Sequence, residues 1–305
     1  MAIARSAVPA RWAILGMAAV STLMWGGANA AETNHRVERG AYLVNSILAC
    51  GNCHSPRTPD GQPTADRELA GGLSFTAPPF DATASNITPD RDTGIGAWSD
   101  AEIKRALVEG VRPDHGRLAS TSLAPVMPAG FFQAFLPEDL EAIVAYLRSV
   151  KPVRNATPAP VYKFPTMHAR YPDAQAGFTE AQMTDPVRRG AYLVTIGHCM
   201  ECHSPLDKGV PDFTKLGKGG RPFGPQIVQG FSPEWKGSVA RNITSHPISG
   251  IGAWNDAQIR RAITKGISRN GRVLGPPMAF AYYNRMTRDD LDAIVAYLRT
   301  VPPQE

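Results

Sequence analysis

Two clusters in the chain have the residue types and spacing for covalent chemistry: Cys50-Gly51-Asn52-Cys53-His54 and Cys199-Met200-Glu201-Cys202-His203. Two thiols three residues apart can each form a thioether to a vinyl group on the same porphyrin edge. A His four residues after the first Cys stands one helical turn further on, where its imidazole can reach the iron. The pattern predicts two covalent haem c groups, one on Cys50, Cys53 and His54, the other on Cys199, Cys202 and His203. The four cysteines could also make a zinc site with all-thiolate ligands, two redox disulfides or structural bridges in an exported protein. A zinc site has no use for either His, and a thioredoxin-like motif needs a βαβ context that this sequence lacks.

The candidate sixth ligands are Met127 and Met278. They lie 73 residues after His54 and 75 after His203, each 15 residues before a matched alanine, Ala142 or Ala293, and each beside a proline, Pro128 or Pro277. A methionine inside a protein is more often core filling than a ligand. Of the nine Met, however, only this pair falls in register between the two halves, and His/Met coordination has precedent. Met286, immediately before the helix cap Thr287, reads instead as a hydrophobic staple. His115 could compete in the first half, where the second has Asn270 in that neighbourhood. Trp98 and Trp254 read equally well as haem neighbours and as core.

The elements that must position these residues are written twice. Arg39-Gly40-Ala41-Tyr42-Leu43-Val44 returns as Arg189-Gly190-Ala191-Tyr192-Leu193-Val194; Asn86-Ile87-Thr88 and Gly94-Ile95-Gly96-Ala97-Trp98 return as Asn242-Ile243-Thr244 and Gly250-Ile251-Gly252-Ala253-Trp254. Ala142-Ile143-Val144-Ala145-Tyr146-Leu147-Arg148 returns as Ala293-Ile294-Val295-Ala296-Tyr297-Leu298-Arg299. The order is the same in both copies, so the chain holds two versions of one domain. The offset is 149 at the cysteines, 156 at the Trp block and 151 at the last block, which puts extra residues in loops of the second copy.

Periodicity predicts helices. Val37, Ala41, Val44 and Leu48 recur at helical spacing and run into the first cysteine motif; Leu140, Ile143, Val144, Leu147 and Leu291, Ile294, Val295, Leu298 mark a closing helix in each copy. Ser99 with Glu102, Asn255 with Gln258, and Thr287 with Asp290 read as helix starts, Pro137 as a first-turn residue, and Gly110 and Gly266 as stops. No alternating run argues for a sheet, so the expected fold class is all-α. The expected organisation is a signal peptide over 1–30, domain 1 over 31–151, a Pro-rich semi-stiff linker over 152–186 and domain 2 over 187–305.

Export is read from the first 30 residues. Arg5 and Arg11 form a basic region, Trp12 to Trp25 an apolar one, and Ala28-Asn29-Ala30 a cleavage site before Ala31. The competing reading is an uncleaved anchor over Trp12 to Ala31, which Ser21, Thr22 and paired glycines make a poor span. Removing Arg5 and Arg11 leaves 30 basic residues against 27 acidic ones, a net +3, too mild for a nucleic-acid partner.

These blocks resemble class I cytochrome c domains, in which a helix carrying Cys-x-x-Cys-His crosses a C-terminal helix. Gly40 with Tyr146, and Gly190 with Tyr297, match the glycine and aromatic pair that brings those helices close. The Asn-Ile-Thr, Gly-Ile-Gly-x-Trp, Met-beside-Pro and Ile-Val-Ala-Tyr-Leu blocks are more narrowly similar to the cytochrome subunits of bacterial periplasmic dehydrogenases. The resemblance implies two tandem domains, each wrapped around one haem, in a periplasmic carrier of single electrons that is not itself an enzyme. Implied partners are a dehydrogenase as donor and a quinone-linked complex, another cytochrome or an oxidase as acceptor, with membrane contact only through a partner or an uncleaved anchor. A dihaem peroxidase, a thiosulfate-oxidising enzyme and a haem-based sensor are the alternatives. Both axial positions filled by His and Met would leave no open site for peroxide, and all four Cys are consumed by attachment.

Overall fold

A computed structural model describes residues 18–113 and 122–305, with side chains from residue 32 onward. The basic and early apolar part of the expected leader and His115 lie outside the described residues. Around the first motif, helix α1 (Ala18–Asn45) leads to the short motif helix α2 (Cys50–His54), a hairpin of β1 (Ser74–Ala77) and β2 (Phe80–Thr83), then α3 (Asp100–Glu109), α4 (Ala129–Phe132) and α5 (Pro137–Ser149). Strand β3 (Val161–Tyr162) and helix α6 (Pro172–Ala176) follow. The second copy repeats the plan with α7 (Pro186–Ile196) and the motif helix α8 (Cys199–His203). Strands β4 (Leu206–Asp207), β5 (Val210–Pro211), β6 (Pro222–Phe223), β7 (Val228–Gln229) and β8 (Ser238–Val239) come next, and then α9 (Asp256–Lys265), α10 (Phe280–Tyr283) and α11 (Arg288–Thr300).

The all-α expectation is overturned. Among the described residues, eight strands form three antiparallel sheets: β3-β2-β1-β7, β4-β5 and β6-β8. They are two to four residues long, too short to show an alternating pattern, and their pairing comes from distant segments. Phe75 pairs with Val228 and Asp81 with Val161, so the largest sheet joins the first copy, the Pro-rich segment and the second copy. That segment is also more than a linker: Tyr171 and Ala174 are buried, and the Tyr171 ring stacks on Phe131 with centroids 4.8 Å apart.

The helix signals hold. Ser99 with Glu102 and Asn255 with Gln258 form capping boxes at α3 and α9, and Gly110 and Gly266 end them at φ 68° and 63°. Thr287 accepts from the Asp290 N–H at the start of α11. One detail differs: α1 does not run into the motif. It ends at Asn45, and a turn with Ala49 in the left-handed region (φ 48°) starts α2 afresh; His198 (φ 42°) does the same before α8.

The two long helices of each copy, α1 with α5 and α7 with α11, cross in close contact. A Cβ on Gly40 would land on the Ala142 carbonyl oxygen and lie 2.7 Å from Tyr146 Cβ; one on Gly190 would land on the Ala293 carbonyl and lie 2.8 Å from Tyr297 Cβ. Because the obstacle is backbone, it cannot swing away. Gly40→Ala or Gly190→Ala is expected to cost about 3 kcal/mol, at the upper end for overpacking, read as a lower denaturation midpoint with unchanged slope.

The copies lock together through a reciprocal set of polar contacts. Arg39 donates to both carboxylate oxygens of Asp139 at 2.7 and 2.8 Å, and Tyr192 of the other copy donates to the same group at 2.6 Å. Arg189 donates to Asp290 at 2.7 Å, and Tyr42 donates to Asp290 from the first copy. Burial, with the facing carboxylate, pushes the Tyr42 phenol up and the Tyr192 phenol well up, so both keep the proton they donate. One buried apolar core runs through both copies around this set, with Leu43, Val44 and Ile143 from one and Leu193, Val194 and Ile294 from the other.

Candidate functional site

Both cysteine motifs face one continuous cavity of about 1790 Å³, well above the roughly 300–1,000 Å³ of a pocket for a single small molecule. Cys50, Cys53, His54 and Met127 line one part of it, and Cys199, Cys202, His203 and Met278 the other, so the structure brings all eight predicted residues to its walls. Trp98 and Trp254 line it as well, each at the foot of a capped helix. Arg148 and Arg299 hold these corners, donating to the Trp98 and Trp254 carbonyls and to Asp100 and Asp256.

The donor chemistry fits two c-type haems. Burial pushes the thiols of Cys50, Cys199 and Cys202 up to about 12 and Cys53 to about 11. Such groups stay as thiols, the opposite of the depressed thiolate of a redox dithiol. None of the four is in a disulfide, and among the described residues no three His, Cys, Asp or Glu converge to hold a metal.

Burial lowers both motif imidazoles, His203 to about 4, so they are neutral at physiological pH. In each, Nδ1 lies 2.7 Å from a backbone carbonyl, that of Ser85 for His54 and of Arg241 for His203. A carbonyl only accepts, so the proton sits on Nδ1 and the Nε2 lone pair is left for a metal. Sequence reading missed these orienting carbonyls, although Ser85 and Arg241 stand one residue before the two Asn-Ile-Thr blocks.

The remaining candidates separate. Met127 and Met278 sit half-buried on matched loops, each just before a short helix, α4 or α10. Met286 is buried in the core and also touches the cavity, but its counterpart at the same offset is Phe135, which has no ligand atom. His198 Nδ1, just before the second motif, lies 3.1 Å from a carboxylate oxygen of Glu201 within it.

The first motif also touches the supports of the second. Asn52 Nδ2 donates to the Pro277 carbonyl at 2.9 Å, beside Met278, and a Cβ on Gly51 would overlap the Tyr282 hydroxyl. The attachment edge of the first copy thus packs on the ligand loop of the second.

In each copy a motif helix and a methionine loop line the cavity beside a pair of crossed helices. Residues 187–302 match the family model described as Cytochrome c. The chain resembles cytochrome subunits of bacterial dehydrogenases. It is 32% identical over 283 residues to the cytochrome c subunit of the alcohol dehydrogenase (quinone) of Gluconacetobacter polyoxogenes, covering 88% of this chain and 56% of that one. It is 32% identical over 282 residues to the fructose dehydrogenase cytochrome subunit of Gluconobacter japonicus, covering 87% and 52%. It is 27% identical over 266 residues to a diheme cytochrome c-type protein of Cereibacter sphaeroides, covering 84% and 83%. The chain thus spans little more than half the length of these two dehydrogenase subunits. Among the described residues, no helix is long and apolar enough to cross a membrane.

Proposed function

We propose that this protein is a periplasmic dihaem c-type cytochrome that takes single electrons from a dehydrogenase and passes them to a downstream respiratory acceptor. The observation that carries the reading is the pairing, in one cavity, of two Cys-x-x-Cys-His sets whose imidazoles are each fixed with Nε2 free. The haem supplies the chemistry, a reversible one-electron change at iron. The chain's residues hold and tune it: Cys50, Cys53, Cys199 and Cys202 by thioether bonds, His54 and His203 through Nε2, and Met127 and Met278 through sulfur. Soft sulfur raises the potential, and the apolar walls exclude water. The relatives' names, which pair such subunits with alcohol and fructose dehydrogenases, support a dehydrogenase as donor.

The domains are 31–151 and 187–305, behind a leader removed near Ala30 and Ala31. Intact-mass measurement of the exported protein is expected to show a chain starting at Ala31 plus two haems. Its oxidised spectrum should be low-spin throughout, and it should not turn over peroxide or thiosulfate. A mass with one haem would end the dihaem reading; a high-spin component with peroxide turnover would make the protein an enzyme.

A further inference from the structure

We propose that the rim of the second haem cavity is the docking face for an acidic redox protein, while the first cavity is roofed by the protein itself. The inference rests on the dihaem reading above and names the surface and partner chemistry that this reading leaves open.

The two copies carry opposite charge. Residues 31–151 hold 11 Lys and Arg against 15 Asp and Glu, a net −4, whereas residues 187–305 hold 16 against 9, a net +7; residues 152–186 are balanced at three each. The mild total of +5 hides this polarity.

The rims differ in the same sense. Five exposed apolar side chains border the second cavity: Leu206 and Val210 on the β4-β5 hairpin, Val239 on β8, Ile248 (90% exposed) and Val273 (77% exposed). Matched hydrogen bonds and bridges identify their counterparts in the first copy as Arg57, Gln62, Thr83, Asp92 and Ser122, not one of them apolar. Exposed Lys208, Arg241 and Arg272 are interleaved with the apolar five and line the same cavity. Asp207 is the single carboxylate in the rim segments 206–211, 238–241, 246–249 and 269–274. An apolar centre ringed by one sign of charge is the composition of a steered protein interface.

The first cavity lacks this five-residue rim because other segments occupy its edge, and on those segments Met167 (86% exposed) is the one exposed large apolar side chain among the described residues that lines the cavity. The hairpin β1-β2 corresponds to β6-β8, and the residues gained by the second copy lie between β6 and β8. They reach across, pair β7 with β1, and set Phe231 over the Arg57 guanidinium at 4.5 Å. From the other side the Pro-rich segment adds β3 to β2 and lines the cavity with Pro158, Pro160 and Pro165. A partner approaching the second cavity meets its apolar rim directly, whereas at the first it meets these covers.

Oxidised flavodoxin, an acidic redox protein, serves as the probe against the oxidised holoprotein, with binding read by titration calorimetry. Affinity is expected to fall about tenfold or more between low and physiological ionic strength. Lys208→Glu with Arg272→Glu should weaken binding at low salt by about tenfold or more, and Ile248→Ser with Val273→Ser by about fivefold at either salt. Asp92→Lys, at the matched position of the first copy, should leave affinity within about twofold of the wild type, since it lies on the other rim. All these side chains are exposed, so an unchanged haem spectrum checks folding. Undiminished binding by the charge-reversed variant, or no binding by a sample whose haem assay gives two groups per chain, would overturn the docking face while leaving the dihaem reading intact.

Discussion

Asp290→Ala is expected to cost about 3 kcal/mol of unfolding free energy, although Asp290 is far from either motif in sequence. Its carboxylate is buried and accepts from Arg189 Nε and Nη2 at 2.7 and 2.6 Å and from the Tyr42 phenol. Removing it strands a guanidinium and a phenol together. A fully buried ion pair broken on one side loses about 3–5 kcal/mol, and Arg189, 39% exposed, can still reach water, which sets the lower end of that range. Asp139→Ala should cost the same, because Arg39 and Tyr192 meet Asp139 in the mirrored arrangement. Tyr42→Phe and Tyr192→Phe each remove one hydrogen bond to a charged group and should cost about 1.5 kcal/mol. Denaturant unfolding checks all four. A shift of less than about 0.5 kcal/mol for Asp290→Ala would show that the reciprocal contacts do not hold the copies together.

Asp290 also shows where sequence reading stops. Thr287 and Asp290 are legible as a helix start, and the Thr287 hydroxyl does accept from the Asp290 N–H. The Asp290 carboxylate is used elsewhere, on Arg189 and on Tyr42, 248 residues away. A local motif fixes the backbone role of a residue and leaves its side chain's partner open. The repeat did hold a signal: Arg39 and Tyr42 return as Arg189 and Tyr192, and Asp139 returns as Asp290. A buried carboxylate kept with an arginine and a tyrosine in both copies invites a contact between copies. The strands carried less information still. Ser74–Ala77 becomes a strand because Thr83 and Gln229 flank it, and neither partner can be read from its four residues. The six Cys and His of the two motifs stand out in the sequence because covalent attachment demands fixed spacing, whereas Met127 and Met278 are picked out only by their shared register.

Met278→Ala and Met286→Ala separate a ligand from a core residue, and the two are expected to fail in different ways. Both side chains touch the cavity, so contact with it cannot choose between them. Register can: Met127 and Met278 share the 151-residue offset that links Ala142 to Ala293, and the same offset sets Met286 against Phe135. If both copies bind iron alike, the ligand position must hold a sulfur in both, which excludes the Phe135 position. Burial agrees, since Met286 is 7% exposed within the core around Leu291 and Ile294, whereas Met278 sits half-buried in a loop. Met278→Ala should therefore abolish the sulfur-to-iron absorption of the second haem, lower its potential and open it to carbon monoxide, with the first haem unchanged. Met286→Ala should keep that absorption and instead lose about 2–5 kcal/mol of stability to the cavity it leaves. Spectra and redox titrations of the two variants, each with its unfolding curve, decide the matter. If Met286→Ala is the one that removes the sulfur band, the two haems are not ligated from matched positions, and the assignment of Met127 falls with that of Met278.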